Sequence, residues 1–349
     1  MERTLPYGWY ADPEILRREQ ERIFRTSWQY AGHTGQLPSD GPGFFVAEAG
    51  RAPIVVTRDR DGELRAFLNV CRHRGFPVAA GAGRRETLQC PYHAWTYGLD
   101  GCLRAAPRSE EEPAFPKDEL GLRPVAVGAW GPFVFVNAGP DPEPLADALG
   151  SMPAQVAELG LDVDGLVHHS RWETELDANW KIVCENFLEC YHCQVAHPGF
   201  AEVIDVSAES YVLDAGGRLS SQYGPVRESG RQTMDVSGEL PRSQFHFLWP
   251  NLTVNIFPGR PNVSIGPVVP RTPNRTYRFL DYFFGPDVEP EWIDELMRFD
   301  DQVGREDRVL VEGVHRGVTS GAIESGVLMS RSEQLIGHFQ ALTAAALAD

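Results

Sequence analysis

Basic residues are scarce for a chain of this size. Against 49 Asp and Glu stand only 32 Lys and Arg, a formal charge of −17. That excess argues against nucleic acid or an anionic membrane surface as a principal partner. No stretch approaches the ~20 consecutive apolar residues that a membrane helix requires. The opening residues, Met1-Glu-Arg-Thr-Leu-Pro-Tyr-Gly-Trp-Tyr10, have neither the basic start nor the apolar run of a signal peptide. A cytoplasmic protein is the expectation. Cysteine is also sparse, six in 349 residues, too few for a disulfide framework at this length. In a reducing compartment, metal binding is the better first assignment for them.

The chain is long enough for two packed cores. Residues 12–30 read as an amphipathic helix, with Asp12 as cap and Pro13 in the first turn. From Gly43 to Ala138 the texture becomes short β-like runs punctuated by Gly and Pro, with Asp61-Gly62 as a hairpin turn. An acidic, proline-containing stretch at 139–144 reads as a linker. A helix follows over 179–191, then strands over 245–263 and 277–284, and a long helix over 289–315. The expected division is an N-terminal helical segment, 1–40, packing on the catalytic domain, a small all-β domain at 41–150, and a larger α+β domain at 151–349.

Two groups of residues carry chemistry. The first is Cys71-Arg-His73 and Cys90-Pro-Tyr-His93, separated by sixteen residues. Two thiolates and two imidazoles suit structural zinc or a Rieske [2Fe–2S] cluster, in which two histidines replace two cysteines on one iron. On the cluster reading Cys71 and Cys90 hold one iron and His73 and His93 the other. The second group lies in Asn179-Trp-Lys-Ile-Val-Cys-Glu-Asn-Phe-Leu-Glu-Cys-Tyr-His-Cys-Gln-Val-Ala-His-Pro198. His192 and His197 are five residues apart, roughly 140° around an unbroken helix, so a shared metal requires the helix to end or distort between them. Pro198 supports such an ending. Two histidines and one carboxylate form the face that O₂-activating Fe(II) uses. On the last long helix Trp292, Leu296, Phe299, Val303, Leu310 and Val314 form an apolar stripe; Asp307 falls nearer to it than Asp300 or Glu306.

With Asn69-Val-Cys-Arg-His-Arg-Gly75 and Cys90-Pro-Tyr-His-Ala-Trp95 around the first group, the chain resembles the α subunit of Rieske non-haem iron oxygenases, from Trp28-Gln-Tyr-Ala-Gly-His33 to the last helix. The resemblance implies a Rieske domain joined to a helix-grip (START-like) catalytic domain with an antiparallel sheet, assembled as a homotrimer. It places the ligand carboxylate in Glu306-Asp-Arg-Val-Leu310, at Asp307, beside His192 and His197. It also implies that Glu189 bridges His192 to the cluster histidine, His93, of a neighbouring subunit. Most ring-hydroxylating members carry Asp there; Glu marks the branch acting on quaternary ammonium compounds. Electrons would come from NAD(P)H through a separate flavin/iron–sulfur reductase or ferredoxin, with O₂ as co-substrate, since the chain shows no flavin or nicotinamide fingerprint.

The substrate expected is a quaternary ammonium compound of the betaine, choline or carnitine type, hydroxylated or oxidatively N-demethylated. Phe200, Tyr211, Tyr223, Phe245, Phe247, Trp249 and Phe257 supply aromatic faces for a trimethylammonium head. The same rings suit an aromatic or natural-product substrate, and a Rieske electron carrier with a binding domain is the non-enzymatic alternative. Cys102, Cys184, Cys190 and Cys193 are expected as buried packing residues. His33, His168, His169, His246, His315 and His338 are expected in structural or surface positions. Arg72, Arg74, Arg84 and Arg85 set positive charge beside the cluster loops, for an acidic electron donor or a subunit contact.

Overall fold

The computed structural model describes residues 2–228 and 233–348. Two compact units emerge, one formed by residues 24–145 and the other by residues 1–23 with 146–349. The expected N-terminal segment therefore divides at Ile23. Its helix is shorter than the periodicity predicted: Pro13–Glu19, with the Asp12 side chain accepting from the Glu14 N–H, then a wider turn over Gln20–Phe24. Gln29–His33 is not helical but a strand, paired with Phe133–Asn137. Buried β-rich neighbours override the helical spacing there.

The unit of residues 24–145 is built on a seven-stranded antiparallel sheet in the order Gln29–His33, Phe133–Asn137, Pro124–Trp130, Leu64–Leu68, Ala52–Arg58, Gly43–Ala49, Ala82–Arg84. A three-stranded sheet, Thr87–Gln89, Thr96–Gly98 and Leu103–Ala105, completes it. The Asp61-Gly62 signal is realised: Ala52–Arg58 and Leu64–Leu68 pair antiparallel, with Gly62 at φ 83° in a conformation that glycine adopts without steric cost. Apolar clusters fill the unit. One includes Phe44, Val55, Leu88, Trp95 and Tyr97 and also holds Cys71 and Cys90.

The larger unit carries a seven-stranded antiparallel sheet in the order Val167–Leu176, Arg275–Phe284, Asn262–Thr272, Leu252–Ile256, Arg242–Leu248, Leu219–Pro225, Val212–Gly216. Helices Trp180–Phe187, Pro290–Val318 and Gln334–Leu347 accompany it. Asn179 caps the first, its side chain accepting from the Lys181 N–H. The N-terminal helix fixes the start of that same element: Glu19 accepts from Lys181 Nζ at 2.6 Å and from Trp180 Nε1 at 2.7 Å, with the ion pair wholly buried. Two charge-assisted bonds to one carboxylate offset its desolvation and tie the helix to a single position. No helix among the described residues is long and apolar enough to cross a membrane.

The helix expected over 179–191 stops at Phe187, four residues short. The apolar stripe of the last long helix is also only partly buried. Trp292, Ile293 and Leu296 are covered, but Val314 is 51 % exposed, and Val311, His315 and Val318 continue the buried face instead.

Candidate metal centres and substrate cavity

In the first unit, two loops of matching form carry the Cys and His residues. Cys71 and Cys90 each receive, at their carbonyl, the N–H four residues on, from Gly75 and Ala94. Each Cys N–H in turn bonds the carbonyl five residues on, of Phe76 and Trp95. The fourth position of both loops has a positive φ, 78° at Gly75 and 56° at Ala94. That conformation turns each loop back on itself and leaves its centre pointing outwards.

The thiols end up buried and the imidazoles exposed. Cys71 and Cys90 are free thiols that adjoin one another; burial first, and then the neighbouring thiol, pushes the Cys90 pKa up. Tyr97 O–H lies 3.3 Å from Cys71 Sγ and accepts the Arg72 N–H at 3.0 Å. The rings of His73 and His93 lie 4.6 Å apart, and His73 stacks on Trp95 at 5.0 Å. Two buried sulfurs behind two exposed nitrogens fit a Rieske cluster, which needs its thiolates on the inner iron and its imidazoles at the tip. Phe76 and Tyr92 flank that tip, 47 % and 51 % exposed. Of the arginines, Arg72 is tied to the Gly121 carbonyl at 2.9 Å and Arg84 to Asp40 at 2.7 Å, whereas Arg74 lies beside the Tyr92 ring.

The second group comes together in the larger unit. After Phe187 the chain turns, makes a short helix Cys193–Ala196, and starts another at Pro198. His192 precedes the first short helix, and His197 sits between the two at φ −122°, ψ 66°. The break required by their five-residue spacing is therefore present. Their Nε2 atoms lie 3.1 Å apart. Asp307, from the long helix Pro290–Val318, places Oδ1 3.0 Å from His197 Nε2 and 3.6 Å from His192 Nε2. The Nδ1 atoms on the far sides bond carboxylates: His192 to Glu189, and His197 to Glu306 at 2.8 Å.

Carboxylates at both Nδ1 positions fix the tautomer and leave both Nε2 lone pairs aimed at one point with Asp307. Two imidazoles and one carboxylate on one side are the donor set of non-haem Fe(II). The electrostatics agree. Burial lowers the His192 pKa, but Asp307 and Glu189 outweigh it and raise it to about 9. Burial also works against ionised Asp307, yet the two imidazoles hold it well below the usual carboxylate range. The carboxylates that favour an added proton on the imidazoles equally favour a metal cation in its place.

Glu189 was expected on a shared helix face with His192. The contact exists, but a turn makes it, with the Glu189 carboxylate also accepting the His192 N–H at 3.1 Å. Glu306, weighed in sequence only as a rival ligand, instead orients His197. Cys190 and Cys193 are joined as a disulfide rather than separate packing residues; the turn that breaks the helix brings their Cα atoms to 4.9 Å. Cys102 is exposed, while Cys184 is buried as expected. His246, bonded to Ser221 at 2.8 Å, and His338, bonded to Ser220 at 3.0 Å, are structural.

Beside the triad is a cavity of about 100 Å³, below the roughly 300–1,000 Å³ of drug-sized sites. Phe200, Tyr211, Phe245 and Phe257 line it as expected, joined by Trp172 and Tyr282, which sequence reasoning missed. Phe247 and Trp249 do not line it. They share the face of Phe245 by strand parity, but the helix Gln334–Leu347 covers them: Phe247 meets Phe339 at 5.7 Å, and Trp249 Nε1 reaches Thr343 at 3.4 Å. Tyr223 has the opposite parity to the cavity residue Gln222 and lies against Arg242. The missed Trp172 lies in strand Val167–Leu176, where polar and apolar residues mix; Leu280 opposite it and Tyr282 two residues on show the alternation that marks the facing strand.

Residues 163–349 match the family described as ring hydroxylating alpha subunit (catalytic domain), more than half of the chain, and residues 27–116 match the Rieske [2Fe-2S] domain. This chain belongs to the Rieske non-haem iron oxygenases. Its cofactors are accordingly a [2Fe–2S] cluster and a mononuclear iron. It is 32 % identical to the carnitine monooxygenase oxygenase subunit of Escherichia coli strain K12, over 99 % of this chain and 94 % of that protein. It is 31 % identical to the chloroplastic choline monooxygenase of Atriplex hortensis, over 96 % of this chain and 76 % of that one. The solved quaternary ammonium Rieske monooxygenase CntA, in complex with an inhibitor, superposes with a TM-score of 0.88 at 30 % identity, covering 99 % of this chain and 96 % of that one. Naphthalene 1,2-dioxygenase from Rhodococcus sp., at a TM-score of 0.81 and 21 % identity, shares the fold.

Proposed function

We propose that this oxygenase acts on a quaternary ammonium compound, at an iron held by His192, His197 and Asp307, with electrons delivered from a cluster held by Cys71, His73, Cys90 and His93. The carrying observation is the aromatic cavity beside the triad, walled by Trp172, Phe200, Tyr211, Phe245, Phe257 and Tyr282. A trimethylammonium head offers no hydrogen-bond donor and is held by aromatic faces through cation–π attraction. The names of the relatives, carnitine and choline monooxygenases, point the same way.

When bound, the cluster supplies one-electron transfer and the iron supplies activation of O₂. The residues do the rest. Glu189 and Glu306 hold both imidazoles in one tautomer. The aromatic wall excludes water and presents a methyl or methylene carbon of the substrate towards the triad. Glu189 also carries the path between centres, linking His192 to the partner subunit's His93 in a homotrimer. The exposed tip of Phe76, Tyr92, His73 and His93 supports that docking. A separate reductase or ferredoxin feeds the cluster, in the cytoplasm.

The experiment supplies ¹⁸O₂ and a reducing system to the iron-replete protein with pooled betaines, choline and carnitine, and a parallel pool of aromatic hydrocarbons. Labelled oxygen is expected in a hydroxylated product of the ammonium pool. Formaldehyde exchanges its oxygen with water, so demethylation is read as unlabelled formaldehyde in proportion to the O₂ consumed. Label appearing only in hydroxylated aromatics overturns the substrate assignment.

Glu306→Ala should remove the acceptor at His197 Nδ1 and loosen the ring, with iron affinity falling about 10- to 100-fold. Competition with a chelator measures this. Iron affinity equal to that of the parent protein shows that Glu306 does not orient His197.

A further inference from the structure

Among the described residues Arg278 is the one arginine or lysine lining the aromatic cavity, and it also lines the adjoining cavity that holds Thr174, Asp301 and Arg308. Strand Arg275–Phe284 puts it there: Arg278, Leu280 and Tyr282 alternate along one face, and all three line the aromatic cavity. The neighbouring acids already have partners. Tyr282 O–H donates to Asp300, and Arg305 pairs with Asp301. Among the described residues the buried Nε of Arg278 lacks any hydrogen-bond partner, and its charge bears on Asp300 without an ion-pair contact between them. A buried, unpaired guanidinium N–H costs free energy unless a ligand satisfies it. The planar fork of Arg matches a carboxylate through two parallel bonds.

We infer that Arg278 is the specificity residue that anchors a carboxylate on the substrate, so that the preferred substrate is a zwitterion carrying both a quaternary ammonium and a carboxylate. This rests on the quaternary-ammonium reading above and deepens it. The cation occupies the aromatic wall, and the carboxylate lies on Arg278, where the two cavities meet. A neutral alcohol such as choline satisfies the first of these and leaves the guanidinium without its anion.

The test uses the holoenzyme under anaerobic conditions and measures equilibrium binding of carnitine, carnitine methyl ester and choline by titration calorimetry. The ester keeps the ammonium and removes only the negative charge. Arg278→Gln is expected to weaken carnitine about 10- to 100-fold while shifting the ester by less than about threefold. Arg278→Lys, which keeps the charge without the fork, should recover part of the loss. An equal loss for carnitine and ester, or no loss for either, overturns the assignment of Arg278 while leaving the quaternary-ammonium reading standing. A parent protein that binds none of the three overturns both.

Discussion

Replacing Asp307 by alanine is expected to abolish product formation while leaving the protein brown. The triad has one carboxylate, and without it two imidazoles remain to hold a divalent ion that prefers a third, anionic donor on the same face. Metal analysis should fall from about three irons per chain to about two, because the cluster lies on separate loops and keeps its own ligands. The optical spectrum of the cluster should not change. The helix itself tolerates the change, since Asp307 is only partly buried and alanine is a good helix former. Three irons retained in the variant would show that Glu306 or Asp300, both on the same helix, supplies the ligand instead.

Glu189→Gln separates the two centres without emptying either. Glutamine keeps an acceptor oxygen for the His192 ring and its N–H, so iron should remain bound. The negative charge that stabilises the imidazole and the proposed bridge to a neighbouring subunit are lost. Substrate-dependent turnover should drop about 10- to 100-fold. Stopped-flow absorbance should show a cluster that accepts electrons normally and then stays reduced when oxygen and substrate are added. Reoxidation of the cluster at the parent rate would remove Glu189 from the path.

The proposed cluster loops were the most legible part of the sequence, because all four candidate ligands sit within a few residues of tight turns. Cys71, His73, Cys90 and His93 needed no long-range information. The proposed iron site was legible for a different reason. The five-residue spacing of His192 and His197 forbids a continuous helix, and the chain does leave the helix at Phe187 and again at His197. Asp307 came from helix phase together with the family resemblance, since nothing local links it to residue 197.

What stayed hidden depends on which surface covers which. Phe245, Phe247 and Trp249 alternate identically in sequence, and only the placement of the helix Gln334–Leu347 decides that the first lines the cavity and the others do not. The role of Glu306 needed the rotation of one helix against a turn more than a hundred residues away. The Cys190–Cys193 disulfide follows from the turn that replaces the expected end of the helix. At the N-terminus, Gln29–His33 carries no polar alternation to mark a strand, because all five residues are buried. Arg278 shares the inward face of its strand with Thr276, Leu280 and Tyr282, and its significance appears only when its unsatisfied Nε is seen.

A single-turnover experiment tests the central claim most directly. Anaerobically reduced protein is mixed with oxygenated buffer and the quaternary ammonium pool, while cluster reoxidation is followed optically and the oxidised product is quantified. The account predicts product in proportion to reoxidised cluster, and neither process in the Asp307→Ala variant. Reoxidation without any oxygenated product, at the same rate with and without substrate, would contradict it.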